Sequence, residues 1–222
     1  MARRNLIVFD LDGTLIDTAP DLTAAMNHVL TQLDRPTLAE EDVRHMVGHG
    51  ARMLLRRGLS ASGPEPSDAE IEALVPAFLD FYGVHVADRS VPFPGMTEAL
   101  DELQGEGARF AICTNKPEAL SVSLIEALGL TERFPVIVGA DTLPVRKPDP
   151  RPLQHAVEQL GGALGQTIYV GDSETDLKTA RAAGVPIILV SWGYTPVPAS
   201  GLGGDVLIER FSDLPEAIRA LA

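Results

Sequence analysis

Cysteine is almost absent from this sequence of 222 residues, in which Cys113 is the single example. One thiol excludes an internal disulfide framework and a cysteine-rich zinc site, and it fits a reducing compartment. Because Cys113 ends an apolar run, we expect it to be a buried core thiol rather than a nucleophile.

Basic residues and long apolar runs are scarce as well. The sequence has 18 Lys and Arg residues against 31 Asp and Glu residues, and its net charge is −13. This balance argues against a nucleic-acid partner and against attraction to an anionic membrane. No apolar run approaches the length of a membrane span, and the run at residues 6–9 is too short for the core of a signal peptide. We therefore expect a cytoplasmic protein, and the sequence leaves open whether it is a monomer or a homodimer.

Short runs rich in Ile and Val alternate with segments of helical periodicity through much of the sequence. These runs show little polar alternation, which is typical of strands covered on both faces. The alternation predicts an α/β fold, a doubly wound parallel sheet with helices on both faces. The predicted strands are residues 5–9, 109–113, 136–138, 167–170 and 187–190, and the later helices are 97–103, 118–128, 153–160 and 176–183.

One long segment interrupts this alternation directly after the first strand. Roughly seventy-five residues pass before the next strand-like run, which is far too long for a single crossover. The segment has helical patterns at 20–33, after a cap at Asp17 or Thr18, and at 40–46, 51–59 and 69–86, with a loop at 60–67. We therefore predict an α/β core formed by residues 1–15 and 93–222, with an inserted helical domain at residues 16–92.

Four polar clusters follow four of the predicted strands. They are residues 10–14 (DLDGT), 114–117 (TNKP), 147–150 (KPDP) and 171–176 (GDSETD). Because ligands bind at the carboxyl ends of the strands in open parallel sheets, these clusters are expected to converge in space.

The two acidic clusters favour a bound cation. Asp10 and Asp12 alternate along an extended chain, so their carboxylates point to one side and repel each other unless a cation or a shared proton intervenes. The oxygens of this cluster and of Asp172 and Asp176 suit Mg²⁺. Taken singly, each cluster also has a simpler explanation, namely an Asp-Gly turn, a helix cap or a solvated lysine.

Together, these four motifs and their order resemble the haloacid-dehalogenase superfamily of phosphotransferases. The insertion after the first motif is the position of that family's helical cap. VGHGA at 47–51 and WGY at 192–194 are similar to the phosphoglycolate phosphatase branch of the superfamily. The resemblance spans almost the whole chain.

The resemblance implies a role for each motif residue. Asp10 would be the nucleophile that forms an aspartyl-phosphate, and Asp12 would protonate the leaving alkoxide and then activate water. Thr114 and Lys147 would hold the phosphoryl oxygens, with Asn115 nearby. The implied cofactor is Mg²⁺, and its expected ligands are the Asp10 carboxylate, the Asp12 backbone carbonyl, Asp172 and Asp176, the last of these directly or through water.

The helical cap is expected to close over a small phosphorylated substrate, with hinges at residues 15–18 and 90–94. Arginines follow the flexible Gly48-His49-Gly50, so we predict His49, Gly50 and Arg52 as residues that determine substrate specificity. Arginines on a helix are more often simply solvated.

The favoured substrate is 2-phosphoglycolate, and three alternatives remain open. A phosphatase or phosphotransferase of the same superfamily acting on a sugar phosphate or pyrophosphate would have the same core. A haloacid dehalogenase is disfavoured by Asp12, because a departing halide needs no proton. A non-catalytic binding protein is disfavoured because both Asp10 and Lys147 are present.

Overall fold

The computed structural model describes residues 4–221, and its centre is a parallel sheet. Six strands form this sheet in the order β5-β4-β1-β6-β7-β8, and every neighbouring pair is parallel. The order places β1 in the middle, where a polar residue that follows it has neighbours on both sides. The strands of the described residues are β1 Leu6–Phe9, β2 Ile16–Asp17, β3 Val91–Pro92, β4 Arg109–Cys113, β5 Ile137–Val138, β6 Thr167–Gly171, β7 Ile187–Val190 and β8 Val206–Ile208.

The central strand explains why the sequence shows apolar runs rather than alternation. Ile7 and Phe9 pack in one buried cluster, and Leu6 and Val8 pack in a second cluster on the opposite face. Both faces of the sheet are therefore covered, which confirms the predicted doubly wound α/β fold. Cys113, at the end of β4, is fully buried, as predicted for a core thiol.

Helices follow most strands and lie close to the predicted positions. Helix α8 begins at Glu174, two residues before the predicted start, because Ser173 caps it by accepting a hydrogen bond from the Asp176 backbone. Helix α3 continues to Ser62, so the predicted loop begins later than residue 60. The helices are α1 Ala19–Gln32, α2 Glu40–Arg44, α3 Ala51–Ser62, α4 Asp68–Val84, α5 Met96–Gly105, α6 Glu118–Ala127, α7 Arg151–Gln159, α8 Glu174–Ala183 and α9 Leu214–Leu221.

Helices α1 to α4 pack on one another in the long segment between β1 and β4. The chain enters and leaves this segment through β2 and β3, which pair antiparallel, with Ile16 opposite Pro92 and Asp17 opposite Val91. The expected hinge at residues 90–94 is therefore partly a strand. Thr18 occupies the N-cap position of α1, in agreement with the predicted cap at Asp17 or Thr18, and its hydroxyl donates to Asp12 rather than bonding to the helix.

Two elements near the end of the chain were not predicted. Strand β8 extends the sheet beside β7, and α9 packs against α5 and β8. Across residues 4–221, no helix is both long enough and apolar enough to cross a membrane.

Candidate active site

The parallel register brings residues from distant parts of the sequence to one edge of the sheet. Asp10 follows β1, Thr114 follows β4 and Asp172 follows β6, each directly after the last residue of its strand. The Asp10 amide donates to the Val170 carbonyl at 2.9 Å, so the first and fourth clusters are hydrogen-bonded neighbours. The convergence expected for an open parallel sheet is present.

Three buried carboxylates meet at this edge. Asp10, Asp172 and Asp176 each offer an oxygen, and these oxygens lie within 4.8 Å of one another. Burial and the Asp176 charge raise the pKa of Asp10 to about 6, although Lys147 and a hydrogen bond from the Leu11 backbone oppose the shift. Burial raises the pKa of Asp172 strongly, and the charges of Asp176 and Asp10 add to that effect. The site therefore holds more negative charge than its own side chains neutralise.

Lys147 is the ammonium group at the centre of these acids. Its Nζ lies 2.9 Å from Asp10 Oδ1 and 2.7 Å from Asp176 Oδ1, and it donates to the Tyr169 hydroxyl at 2.9 Å. Burial alone would lower the pKa of Lys147, but the nearby carboxylates outweigh burial and raise it. Lys147 is therefore charged at neutral pH and fixed in position.

Asp176 already has partners for both of its oxygens. Oδ1 contacts Lys147 and Tyr169, and Oδ2 accepts from the Ser173 hydroxyl at 2.6 Å and from the amides of Ser173 and Asp172. Burial would raise the pKa of Asp176, but Lys147 and these hydrogen bonds lower it. Asp176 is thus the permanently ionised member of the group, and its environment suits a supporting role better than direct coordination of a metal.

The residues fit a hard divalent cation. The donor set is entirely oxygen, and three buried carboxylates share a single ammonium, which leaves an excess of negative charge. Asp172 is oriented by the Tyr194 amide, which donates to its Oδ2 at 2.7 Å. Asp10 and Asp172 would hold the ion, with the Asp12 backbone carbonyl as the third expected protein ligand.

Asp12 has a different environment from the acid triad. Its Oδ1 accepts from the Thr18 hydroxyl at 2.8 Å and from Lys116 Nζ at 3.1 Å. Lys116 also donates to the Tyr82 hydroxyl at 2.5 Å, and Tyr82 belongs to α4 in the helical segment. Asp12 therefore stands beside its own cation, separate from Lys147.

A pocket opens in front of Asp10 and Asp12. Core residues Thr114, Asn115 and Lys116 form one side, and residues of α1, α3, α4 and the loop before α3 form the other. Asn115 donates to the Lys147 carbonyl at 3.2 Å, and its buried Oδ1 has no hydrogen-bond partner among the described residues. The predicted phosphate-binding residues Thr114 and Asn115 thus line the pocket, and Lys147 lies directly behind Asp10.

The three predicted specificity residues are only partly brought to this pocket. Gly50 lines it, with the neighbouring Gly48. Arg52 does not line it, because its guanidinium pairs with Glu72 at 2.7 Å on an exposed surface. His49 lies on that outer surface with Arg52 and Arg146, and burial, together with repulsion from Arg57 and Arg146, lowers its pKa.

Four site residues were not predicted: Lys116, Tyr82, Tyr169 and Tyr194. Lys116 is part of the TNKP motif, but roles are predicted from the sequence only for Thr114 and Asn115 of that motif. All three tyrosines are almost fully buried; Tyr82 and Tyr169 have no signal in the sequence, whereas Tyr194 belongs to the WGY motif, to which no role at the site was given. Only the folded structure shows that their hydroxyls or amides contact the acids.

The sheet order and the buried acid triad define a hydrolase of the haloacid-dehalogenase type. The chain belongs to this family, because the family model for haloacid dehalogenase-like hydrolases matches residues 7–190. This result confirms the resemblance found in the sequence.

Individual relatives have more specific names than the family model. The chain is 49% identical over 212 residues to a phosphoglycolate phosphatase of Caulobacter vibrioides, covering 95% of this chain and 89% of that protein. It is 47% identical to a phosphoglycolate phosphatase of Mesorhizobium japonicum, covering 95% and 93%. The crystal structure of a predicted phosphoglycolate phosphatase from Haemophilus somnus superposes with a TM-score of 0.89 at 29% identity, covering 98% of this chain and 99% of that one.

Proposed function

We propose that this protein is a Mg²⁺-dependent phosphatase that hydrolyses 2-phosphoglycolate to glycolate and phosphate. The observation that carries the proposal is the position of Asp10, which is buried between Lys147 and two further carboxylates at the floor of a pocket. The names of the relatives support the choice of substrate.

Asp10 supplies the nucleophile in this proposal. One of its oxygens attacks phosphorus, the bond to the ester oxygen breaks, and an aspartyl-phosphate forms. Two anions approach each other in this step, so a positive charge must compensate the repulsion. Lys147, 2.9 Å from Asp10, supplies part of it. A Mg²⁺ held by Asp10, Asp172 and the Asp12 backbone carbonyl would supply the rest of the positive charge.

Asp12 supplies and then removes the proton. As an acid it gives a proton to the departing alkoxide of glycolate, and as a base it takes one from the water that hydrolyses the aspartyl-phosphate. Its hydrogen bonds to Thr18 and Lys116 fix the direction of its carboxyl group toward the pocket. Thr114 and Asn115 offer a hydroxyl and an amide to the phosphoryl oxygens from the opposite side.

The helical segment limits the size of the substrate. Apolar side chains of α1, α3 and α4 close the pocket above the acids, among them Leu22, Leu54 and Phe78. They exclude bulk water from the phosphoryl group, which strengthens the electrostatic interactions there. We propose that this segment is the cap and that the paired strands β2 and β3 are its hinge.

A hydrolysis screen tests the proposal. Phosphate release is measured with 2-phosphoglycolate, hexose phosphates, nucleotides and pyrophosphate, each with Mg²⁺ and with excess EDTA. We expect the highest kcat/KM with 2-phosphoglycolate and no turnover in EDTA. Activity that survives EDTA contradicts the metal requirement, and a maximum on a sugar phosphate or pyrophosphate contradicts the substrate.

A further inference from the structure

We infer that Lys116 recognises the carboxylate of the substrate and so determines specificity; this rests on the proposed function. Lys116 is the third residue after the end of β4 and follows Thr114 and Asn115. Its side chain is 3% exposed. A lysine this buried is held for a reason other than solubility, since burial of an ammonium is costly unless partners compensate it.

The pocket contains one suitable cation for an anionic leaving group. Among the described residues that line it, Lys116 carries the single basic side chain, and most of the wall opposite is apolar. Lys147 lies behind Asp10, where it is already in contact with Asp10, Asp176 and Tyr169. A second negative charge that enters the pocket therefore meets Lys116.

The position of Lys116 matches the short span of 2-phosphoglycolate. In that molecule a single methylene separates the ester oxygen from the carboxylate carbon. Asp12 is the group proposed to protonate the ester oxygen, and Lys116 Nζ lies 3.1 Å from Asp12 Oδ1. A carboxylate so near the ester oxygen must lie beside Asp12, where it would be repelled without a cation.

The ammonium of Lys116 is also oriented from the helical segment. It donates to the Tyr82 hydroxyl at 2.5 Å and lies 4.3 Å from the centre of the Tyr82 ring. Lys116 Nζ also contacts both Asp12 oxygens, at 3.1 and 3.4 Å, and the longer contact is weak, so a carboxylate of the substrate can replace it as the third acceptor of the ammonium. Tyr82 also links recognition of the carboxylate to the position of α4.

A comparison of two substrates tests this inference. 2-Phosphoglycolate and 2-hydroxyethyl phosphate share the phosphate and the methylene, but the second has a neutral hydroxymethyl group in place of the carboxylate. We expect Lys116→Met to lower kcat/KM for 2-phosphoglycolate on the order of 10- to 100-fold more than for 2-hydroxyethyl phosphate, because a charge-assisted hydrogen bond is lost. Lys116→Arg should retain most of the preference.

The control is Lys178→Met, which removes an exposed lysine that pairs with Glu174 on the outer face of α8. It should leave both substrates unchanged. Folding of each variant is checked by thermal denaturation, and Lys116→Gln, which keeps a neutral donor on a side chain one atom shorter, replaces Lys116→Met if the latter does not fold.

The outcomes separate the inference from the proposed function. If the unaltered enzyme does not prefer 2-phosphoglycolate, the proposed substrate is wrong and the inference falls with it. If the enzyme has the preference and the variant without the ammonium keeps it, the inference alone is overturned. An equal loss of kcat on both substrates also overturns it, because Lys116 would then act only by positioning Asp12.

Discussion

At the scale of single residues, the Asp10 carboxylate lies between one ammonium group and two other carboxylates. Asp10→Asn keeps the size of the side chain but removes the nucleophilic oxygen anion, so we expect turnover of 2-phosphoglycolate to fall by at least about ten-thousand-fold. The measurement is phosphate release at saturating substrate, with thermal denaturation to show that the variant is folded. Turnover above a hundredth of the original rate would remove Asp10 from the role of nucleophile.

Gly193 affects the position of Asp172, because it packs directly against that side chain. A Cβ at this position would lie 2.1 Å from the Cβ of Asp172, and the next residue, Tyr194, donates its amide to Asp172. Gly193→Ala must therefore displace Asp172, and we expect the Mg²⁺ concentration for half-maximal activity to rise about 10- to 100-fold. Gly165→Ala is the matched control, since a Cβ there meets nothing within 4 Å. An unchanged Mg²⁺ requirement in Gly193→Ala would contradict this account.

The motif residues were predictable because strand ends carry their own signal. Asp10, Thr114 and Asp172 each follow an apolar run, and the topology of a parallel sheet makes such positions converge. Arg52 was predicted from its position after a glycine turn, but a helical arginine can turn to either side, and here a carboxylate on α4 holds it outside the pocket. A partner that is distant in sequence decided its direction, and no local pattern reports such a partner.

At the scale of elements, Asp21 connects the start of the helical segment, in α1, to its end, just before β3. Its buried carboxylate, in the first turn of α1, accepts from the amides of Arg89 and Ser90 and from the Ser90 hydroxyl at 2.6 Å. This carboxylate provides the hydrogen-bond acceptor for the backbone amides just before β3, where the segment returns to the sheet. No local pattern singles out Asp21, because the contact spans nearly seventy residues.

Removal of this carboxylate should destabilise the fold. Asp21→Ala leaves the three donors without an acceptor, and we expect a loss of about 2–4 kcal/mol in the free energy of unfolding, or about 4–16 °C in Tm. Thermal denaturation with Asp80→Ala, which changes an exposed aspartate of α4, provides the control. If both variants melt at the same temperature, the bonds of Asp21 contribute nothing to stability.

Strand β8 shows why some elements could not be predicted. It has three residues at the edge of the sheet, and Leu207 is 39% exposed, so its apolar pattern is too short and too solvated to stand out from a loop. Strands β2 and β3 are shorter still, and they exist because the chain enters and leaves the helical segment side by side. Their pairing depends on tertiary structure and has little local sequence signal.

At the scale of the whole molecule, a small part of the net charge of −13 lies at one buried place, where Asp10, Asp172 and Asp176 share the ammonium of Lys147. Asp10 and Asp172 have raised pKa values, caused first by burial and then by neighbouring carboxylates. A carboxyl group whose pKa is higher in the folded state binds more protons there than in the unfolded chain. Its contribution to stability is therefore lost as the pH rises from the unfolded pKa of 3.8 through the folded value, which is about 6 for Asp10. Asp176 has a lowered pKa, so it contributes stability that is fully present above about pH 4 and is lost as the pH falls below that value.

The raised pKa values of Asp10 and Asp172 imply that the stability of the fold depends both on pH and on a bound divalent ion. Without a divalent ion, repulsion in the acid triad should lower Tm between about pH 4.5 and pH 7.5, and Mg²⁺ should raise Tm at pH 7.5 by at least about 5 °C because it binds only the folded site. Thermal denaturation in EDTA and in MgCl₂ measures both effects, and KCl at equal ionic strength controls for general screening of the acidic surface. Asp172→Asn removes one of the repelling charges, so it should raise Tm in EDTA at pH 7.5 and abolish most of the gain from Mg²⁺. An equal gain from Mg²⁺ in Asp172→Asn, or from KCl, would show that the cation acts on the surface charge and not on the triad.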